Sequence, residues 1–126
     1  MPVLTSMKSG RKSFPTVVNL FIYGTLMDKS QLYQITLKHF PTSPAILKDY
    51  RKLISTLGYP YIVPSKGSTV DGLLIRNVDA ASLKRLDEYE DESRLYFRKP
   101  VIVTSGGKKY PCEVYVGNEK ILRPRS

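Results

Sequence analysis

Short apolar runs rich in β-branched and aromatic residues alternate along the chain with segments that contain proline or glycine. Such runs, bounded by turn-forming residues, are typical of strands. The pattern predicts strands at 17–23, within 45–57, at 70–76, at 97–104 and at 109–116, and an extended segment at 59–64. It also predicts a turn at 66–68 and a hairpin turn at 105–108.

Two further segments carry apolar residues at the spacing of an amphipathic helix. The first helix is predicted at 29–39, and the second runs from Ala80 to about Glu90 with Asp79 as its N-cap. The strands and helices do not alternate regularly as in a βαβ protein. The sequence therefore predicts an α+β fold with a small sheet that is curled or closed.

Length and cysteine content limit the kinds of protein that this chain can be. Its 126 residues correspond to one domain, predicted at 17–126 after a basic leader at 1–16. Cys112 is the only cysteine, which excludes an intrachain disulfide and a cysteine cluster for a metal, and we predict no cofactor. Residues 1–13 lack the apolar core of a signal peptide, and no apolar run reaches the roughly twenty residues that span a bilayer. We therefore expect a cytoplasmic protein.

The net charge of +9 is distributed unevenly along the chain. Six of the eleven acidic residues fall within 79–92, so one acidic segment lies on a generally basic background. A positive field of this kind attracts anionic small molecules as readily as nucleic acids. The charge alone therefore does not select a class of partner.

Glu90 stands out among the acidic residues because of its position on the second helix. Leu83, Leu86 and Glu90 are spaced by three and four residues, so they share the stripe that faces the core. Burial, the like charges of Asp87 and Asp91, and the negative end of the helix all act to raise the pKa of Glu90. A carboxyl group with such a pKa suits general acid/base catalysis near neutral pH. A structural glutamate, hydrogen-bonded to a tyrosine or a backbone amide at the edge of the core, fits the same pattern.

A second candidate element is the turn Tyr23-Gly24-Thr25-Leu26 at the end of the first strand. Glycine at this point lets the backbone turn sharply and approach a ligand closely. The N–H groups exposed by such a turn can bind a carboxylate or an oxyanion. The same four residues also fit a turn without any function.

Several segments, in order along the chain, resemble the gamma-glutamylcyclotransferase-like proteins. The similar segments are Phe21-Ile22-Tyr23-Gly24-Thr25-Leu26, Tyr59-Pro60-Tyr61-Ile62-Val63-Pro64, Val70-Asp71-Gly72 and Leu86-Asp87-Glu88-Tyr89-Glu90, the last followed by Tyr96 and Arg98. The resemblance extends from about Val18 to Val116. It implies a small mixed β-barrel, closed or nearly closed, with helices packed outside.

The resemblance also implies an activity, which is the cyclisation of a γ-glutamyl amine or γ-glutamyl amino acid to 5-oxoproline with release of the amine. In this interpretation Glu90 is the general acid/base, and the backbone of Gly24, Thr25 and Leu26 holds the substrate carboxylate. The remaining candidates for substrate binding are Tyr23, Tyr96, Arg98 and Tyr115. Arg98 fits a structural salt bridge, or a pair with Glu90, equally well, and Tyr96 and Tyr115 also fit side chains that simply pack. The substrate supplies its own nucleophile, so neither a catalytic cysteine nor a metal is needed.

The chain also departs from the family pattern at two places. The segment between Glu90 and Tyr96 is about two residues longer than usual and lacks the common glycine after the glutamate. Met27-Asp28 replaces the common basic residue and glycine that follow the Tyr-Gly-Thr-Leu turn. Both departures bear on the choice of substrate more than on the type of reaction.

Two other functions fit the sequence less well. One is a protein of the same fold that binds a γ-glutamyl or other amino-carboxylate ligand without catalysis. The other is a basic nucleic-acid-binding module, which requires aromatic residues interleaved with the basic ones, and no such module is recognisable in the sequence.

Two single residues are predicted to have no catalytic role. His39 has no second histidine as a partner and is predicted to be a surface or capping residue, while Cys112 is predicted to be a buried strand thiol.

Overall fold

Five strands and two helices make up the part of the chain that the computed structural model describes, residues 17–125. In chain order they are β1 (Val17–Ile22), α1 (Lys29–Thr36), β2 (Thr42–Ile54), β3 (Pro60–Asp79), α2 (Ala80–Glu90), β4 (Tyr96–Ser105) and β5 (Lys108–Gly117), with a 3₁₀ turn at Thr25–Met27. The predicted leader at 1–16 lies outside the described residues. The α+β class is confirmed.

The five strands close into a barrel in the order β1-β3-β2-β4-β5. The sheet is mixed because β1 pairs with β5 in parallel, through Leu20–Glu113 and Phe21–Val114, whereas the other neighbours are antiparallel. One buried cluster fills the barrel. Its residues all lie on the strands, except Tyr23, which directly follows β1. A second cluster joins the outer face of the barrel to the helices, through residues such as Leu32 and Leu86. The predicted mixed barrel with outside helices is therefore confirmed.

Both helices begin at a capping aspartate. Asp79 accepts a hydrogen bond from the Ser82 N–H at 3.3 Å, and α2 has the predicted bounds. Asp28 accepts one from the Ser30 N–H at 2.8 Å at the start of α1. This helix ends at Thr36, three residues earlier than predicted, because Leu37 takes a left-handed conformation with φ of 61°.

The turn predicted at 66–68 is wrong. Strand β3 runs without a break from Pro60 to Asp79, and its partner β2 follows it along most of that length. The register shifts next to Asp49, whose carboxylate accepts a hydrogen bond from the Gly67 N–H at 2.9 Å. The turn-forming residues therefore produce a bulge in a long strand, because the facing strand keeps both sides of the bulge paired.

Several smaller predictions can also be compared with the structure. The hairpin turn between β4 and β5 is confirmed. Cys112 is buried in the barrel cluster, as predicted. His39 is exposed and stacks on the Tyr33 ring with 4.6 Å between ring centroids, which confirms a surface position. Between residues 17 and 125, no helix is long and apolar enough to cross a membrane.

Candidate active site

A cavity of about 510 Å³ lies where the carboxyl ends of β1 and β5 meet the amino ends of β3 and β4. The last turn of α2 and the segment that follows it form one wall, and residues 21–26 form another. Of the residues predicted to act in substrate binding or catalysis, seven line this cavity: Tyr23, Gly24, Thr25, Leu26, Glu90, Tyr96 and Tyr115.

Glu90 is the last residue of α2 and points into the cavity. Leu86, one turn earlier on the same stripe, is fully buried, and this fixes the rotation of the helix. Burial raises the pKa of Glu90 from 4.5 to about 7. Within residues 17–125, the Glu90 carboxyl group makes neither a hydrogen bond nor a salt bridge. A structural role as a hydrogen-bonded core-edge glutamate would require such a partner.

The turn at residues 23–26 lines the cavity. Gly24 lies close to β3, because a Cβ atom built on it would be 3.0 Å from Cγ of Pro60. Thr25 and Leu26 open the 3₁₀ turn, whose first hydrogen bond runs from the Met27 N–H to the Gly24 carbonyl at 3.0 Å. The N–H groups of Gly24, Thr25 and Leu26 come earlier in the chain than this first bond, so the 3₁₀ turn gives them no acceptor. They have no backbone acceptor elsewhere in the described chain either. Such N–H groups are suited to an anion.

Three tyrosine hydroxyl groups around the cavity already donate their protons to the protein. Tyr23 donates to the Tyr115 carbonyl at 2.6 Å, Tyr96 to the Pro60 carbonyl at 2.7 Å and Tyr115 to the Asp87 carboxylate at 2.7 Å. Burial is the largest cause of the raised pKa of each tyrosine, and the negative charge of Glu90 adds to it. Because the protons are retained and already engaged, these hydroxyl groups can only accept a hydrogen bond from a ligand.

The sequence was compared with known families and proteins. Residues 20–125 match the family model described as "Gamma-glutamyl cyclotransferase, AIG2-like". The chain belongs to this family. The match covers the whole cavity, including the turn at 23–26 and Glu90.

Similar individual proteins come from an archaeon and a plant. A Methanocaldococcus jannaschii protein is 28% identical over 116 residues, and its name combines gamma-glutamylcyclotransferase with a provisional RNase assignment. An Arabidopsis thaliana AIG2-like protein is 30% identical over 118 residues. Each alignment covers 90% of this chain, but the chain spans only 52% and 64% of the lengths of these two relatives.

Solved structures share the fold. A solution structure of an Arabidopsis thaliana protein has a TM-score of 0.75 at 30% identity, covering 89% of this chain and 68% of that chain. A structure titled gamma-glutamyl cyclotransferase has a TM-score of 0.76 at 20% identity, covering 86% of this chain and 70% of that chain. The barrel with outside helices is therefore an architecture of the gamma-glutamyl cyclotransferase, AIG2-like family.

Arg98 is the one predicted site residue that does not line the cavity. It lies two residues beyond Tyr96 on β4 and meets Asp87, one helical turn before Glu90. Its Nε and a terminal nitrogen bind the two Asp87 oxygens at 2.9 and 3.0 Å, and its other terminal nitrogen binds Glu113. These acceptors hold the pKa of Arg98 above its usual value. Arg98 therefore anchors the last turn of α2 and does not face the cavity.

Residues that the sequence analysis did not select also line the cavity. Tyr89 is one of them, and its hydroxyl group lies 3.1 Å from the Thr25 hydroxyl, so α2 is linked directly to the turn at 23–26. Another is Arg94, in the long segment between Glu90 and Tyr96, which pairs with Asp91 at 2.5 Å. The unusual length of that segment was the signal that could have identified Arg94 as part of the rim.

Proposed function

We propose that this protein is a gamma-glutamyl cyclotransferase that converts a γ-glutamyl amine or γ-glutamyl amino acid to 5-oxoproline. The observation that carries this proposal is Glu90, a half-buried carboxyl group with a pKa of about 7 and no partner in the described chain. It lies in the same cavity as the backbone N–H groups of the turn at 23–26. Membership of the family supports the reaction class, and the substrate and mechanism are part of the proposal.

The two ends of the glutamyl group require different partners, and the cavity contains both kinds. The α-carboxylate is an anion, and the N–H groups of Gly24, Thr25 and Leu26 are suited to bind it. The α-ammonium is a donor, and Glu90 together with the acceptor-only hydroxyl oxygen atoms of the cavity tyrosines are suited to receive it. The substrate is thereby folded so that its amine lies near its own γ-carbonyl carbon.

The reaction begins when Glu90 takes a proton from the α-ammonium. The free amine attacks the γ-carbonyl carbon and forms the ring C–N bond, and the bond from that carbon to the leaving nitrogen then breaks. Glu90 returns its proton to the leaving nitrogen, and the ring nitrogen then loses its second proton, which passes through Glu90 to the same leaving nitrogen. The products are therefore 5-oxoproline and the ammonium form of the released amine, and no water is consumed. The amine and the γ-carbonyl already belong to one molecule, so the cavity contributes by holding the substrate in the folded conformation in which these two groups lie close together and aligned.

A pKa near neutrality suits this exchange. A glutamate with its ordinary pKa is too weak a base to deprotonate an ammonium group efficiently, whereas a carboxyl group with a pKa of about 7 can take and return a proton near pH 7. The raised pKa arises from burial. The same cavity walls that exclude water from the substrate thus also tune the base.

The test is direct assay of the purified protein with a panel of γ-glutamyl amines, γ-glutamyl amino acids and glutathione. 5-Oxoproline is followed by mass spectrometry for the wild type, for Glu90→Gln and for Glu119→Gln, a matched change at an exposed glutamate outside the cavity. We expect turnover by the wild type and by Glu119→Gln, and none by Glu90→Gln.

Two results would contradict the proposal in different ways. Turnover that survives in Glu90→Gln would remove Glu90 from the mechanism but leave the reaction. Binding of a γ-glutamyl compound without turnover, equal in the wild type and Glu90→Gln, would favour a ligand-binding protein of the same fold.

A further inference from the structure

A second concave surface lies at the seam between β2 and β4. These strands pair only through Ile46–Thr104 and Leu47–Val103, while β2 continues along β3 as far as Ile54 and β4 continues along β5 back to Tyr96. The two strand pairs therefore separate beyond the seam, and a cleft of about 450 Å³ opens between them. We call this surface the basic cleft. It is lined by Tyr50 on β2, by Phe97 and Lys99 on β4, and by residues 117–120 and Arg123 at and after the end of β5.

The charge of the basic cleft is opposite to that of the first cavity. Lys99, Lys120 and Arg123 line the basic cleft, and Glu119 is its one acidic residue. Each of the three cations is exposed, and none of them forms a salt bridge within residues 17–125. The first cavity, by contrast, is lined by three carboxylates and a single arginine. The basic cleft is therefore a separate surface suited to an anion.

Aromatic rings lie among these cations. Phe97 is 37% exposed, although it belongs to a strand of the barrel, and Lys99 Nζ lies 6.0 Å from the centroid of its ring. Tyr50 on the opposite wall is half-buried and packs against the barrel cluster. A simple inorganic anion or an acidic peptide would use the cations and leave these rings unused. Cations that adjoin exposed aromatic rings are typical of surfaces that stack bases and follow a phosphate backbone.

We propose that the basic cleft binds single-stranded nucleic acid, with a base stacked on Phe97 and neighbouring phosphates paired with Lys99, Lys120 and Arg123. The cations come from two elements, β4 and the segment after β5, so they are suited to successive phosphates along a strand. This site also gives a role to part of the net charge of +9, which the acidic substrate cavity does not explain. The proposal does not depend on the cyclotransferase activity.

The first experiment measures binding of fluorescein-labelled oligouridylate and oligothymidylate, about ten nucleotides long, by fluorescence anisotropy. We expect Phe97→Ala to weaken binding about tenfold, because base stacking on an aromatic ring contributes this much, and Phe97→Tyr to restore it. Phe97 lies outside the first cavity, so a thermal melt and, where turnover is found, the 5-oxoproline assay serve as controls for folding.

The second experiment separates a site from diffuse positive charge. Lys99→Gln/Lys120→Gln removes two cations from the basic cleft, and Lys108→Gln/Lys109→Gln removes two exposed cations from the β4–β5 hairpin. We expect the first pair of substitutions to weaken binding at least tenfold more than the second. The slope of log K against log salt concentration should also fall in the first variant, by the amount that corresponds to about two lost phosphate contacts.

Several results would overturn the proposal. These are the absence of binding at low salt, an equal loss in the two double variants, or an unchanged affinity of Phe97→Ala. Competition by polyglutamate as strong as that by unlabelled oligonucleotide would indicate a surface that selects charge alone, and a mononucleotide that binds as tightly as the strand would indicate a free nucleotide as the ligand.

Discussion

Replacing Glu90 by glutamine is predicted to stabilise the protein while abolishing its proposed activity. Glutamine is nearly isosteric with glutamic acid and is neutral at every pH. The change therefore removes the cost of ionising a carboxyl group inside the cavity and leaves the packing unchanged. Sites that are shaped for chemistry commonly carry such a cost.

The size and sign of the effect follow from the pKa. The pKa of Glu90 is about 7 in the native state and 4.5 as its ordinary value. Below about pH 4 both the native and the unfolded state are protonated, so Glu90 has no effect on stability. As the pH rises from 4.5 to about 7, the unfolded state loses its proton first, and the free energy of unfolding of the wild type falls. Above about pH 7 both states are ionised, and the full cost of about 3 kcal/mol remains, at 1.36 kcal/mol for each pKa unit.

The assay is urea unfolding followed by circular dichroism at several pH values between about 4 and 8. The free energy of unfolding of Glu90→Gln minus that of the wild type is predicted to rise from near zero at the acidic end to about 3 kcal/mol at the alkaline end. Glu119→Gln, at an exposed glutamate outside the cavity, is the matched control for the substitution itself. A flat difference for Glu90→Gln would refute the reasoning, because it would mean that the native pKa of Glu90 is not raised.

Three further predictions concern other parts of the structure. Arg98→Met removes the two hydrogen bonds from Arg98 to Asp87 and leaves the one from Tyr115, so it should lower stability by about 2 kcal/mol and also lower kcat and shift the pH midpoint of kcat/KM. Loss of stability alone would contradict a positioning role. Gly117→Ala places a Cβ atom in steric overlap with Cδ2 of the buried Tyr61 ring, so urea unfolding should show a loss of about 2 kcal/mol, and an unchanged midpoint would count against this packing. Burial raises the pKa of Cys112 to about 12, so the native protein should resist thiol reagents near neutral pH, and rapid labelling without unfolding would contradict the barrel core.

Local signals in the sequence were sufficient for the elements whose cause is local. The α2 helix has the predicted bounds because Asp79 caps its start through its own side chain. The stripe of Leu83 and Leu86 fixes its rotation, which places Glu90 at the cavity. The glycine pair between β4 and β5 gives the predicted hairpin for the same reason, since turn chemistry depends on neighbouring residues.

The features that the sequence did not predict depend on contacts between distant segments. Pairing with β2 overrides the tendency of the residues around Gly67 to form a turn. Asp49, eighteen residues away in the sequence, stabilises the resulting bulge. Arg98 contacts Asp87 and Glu113, which lie 11 and 15 positions away in the sequence on two other elements, so only the packed barrel brings these side chains together. The separation of β2 from β4, which forms the basic cleft, is likewise visible only in the assembled barrel.

The central claim is that the Glu90 carboxyl group, with its pKa raised by burial, is the acid/base of a gamma-glutamyl cyclotransferase. The most direct measurement is the pH dependence of kcat/KM for 5-oxoproline formation, set beside the pKa of Glu90 obtained by ¹³C NMR of its carboxyl carbon. We predict that kcat/KM rises with pH through a midpoint of about 7 and that the NMR titration of Glu90 has the same midpoint. A Glu90 titration near its ordinary pKa of 4.5, or a kcat/KM that does not change through this pH range, would contradict the claim.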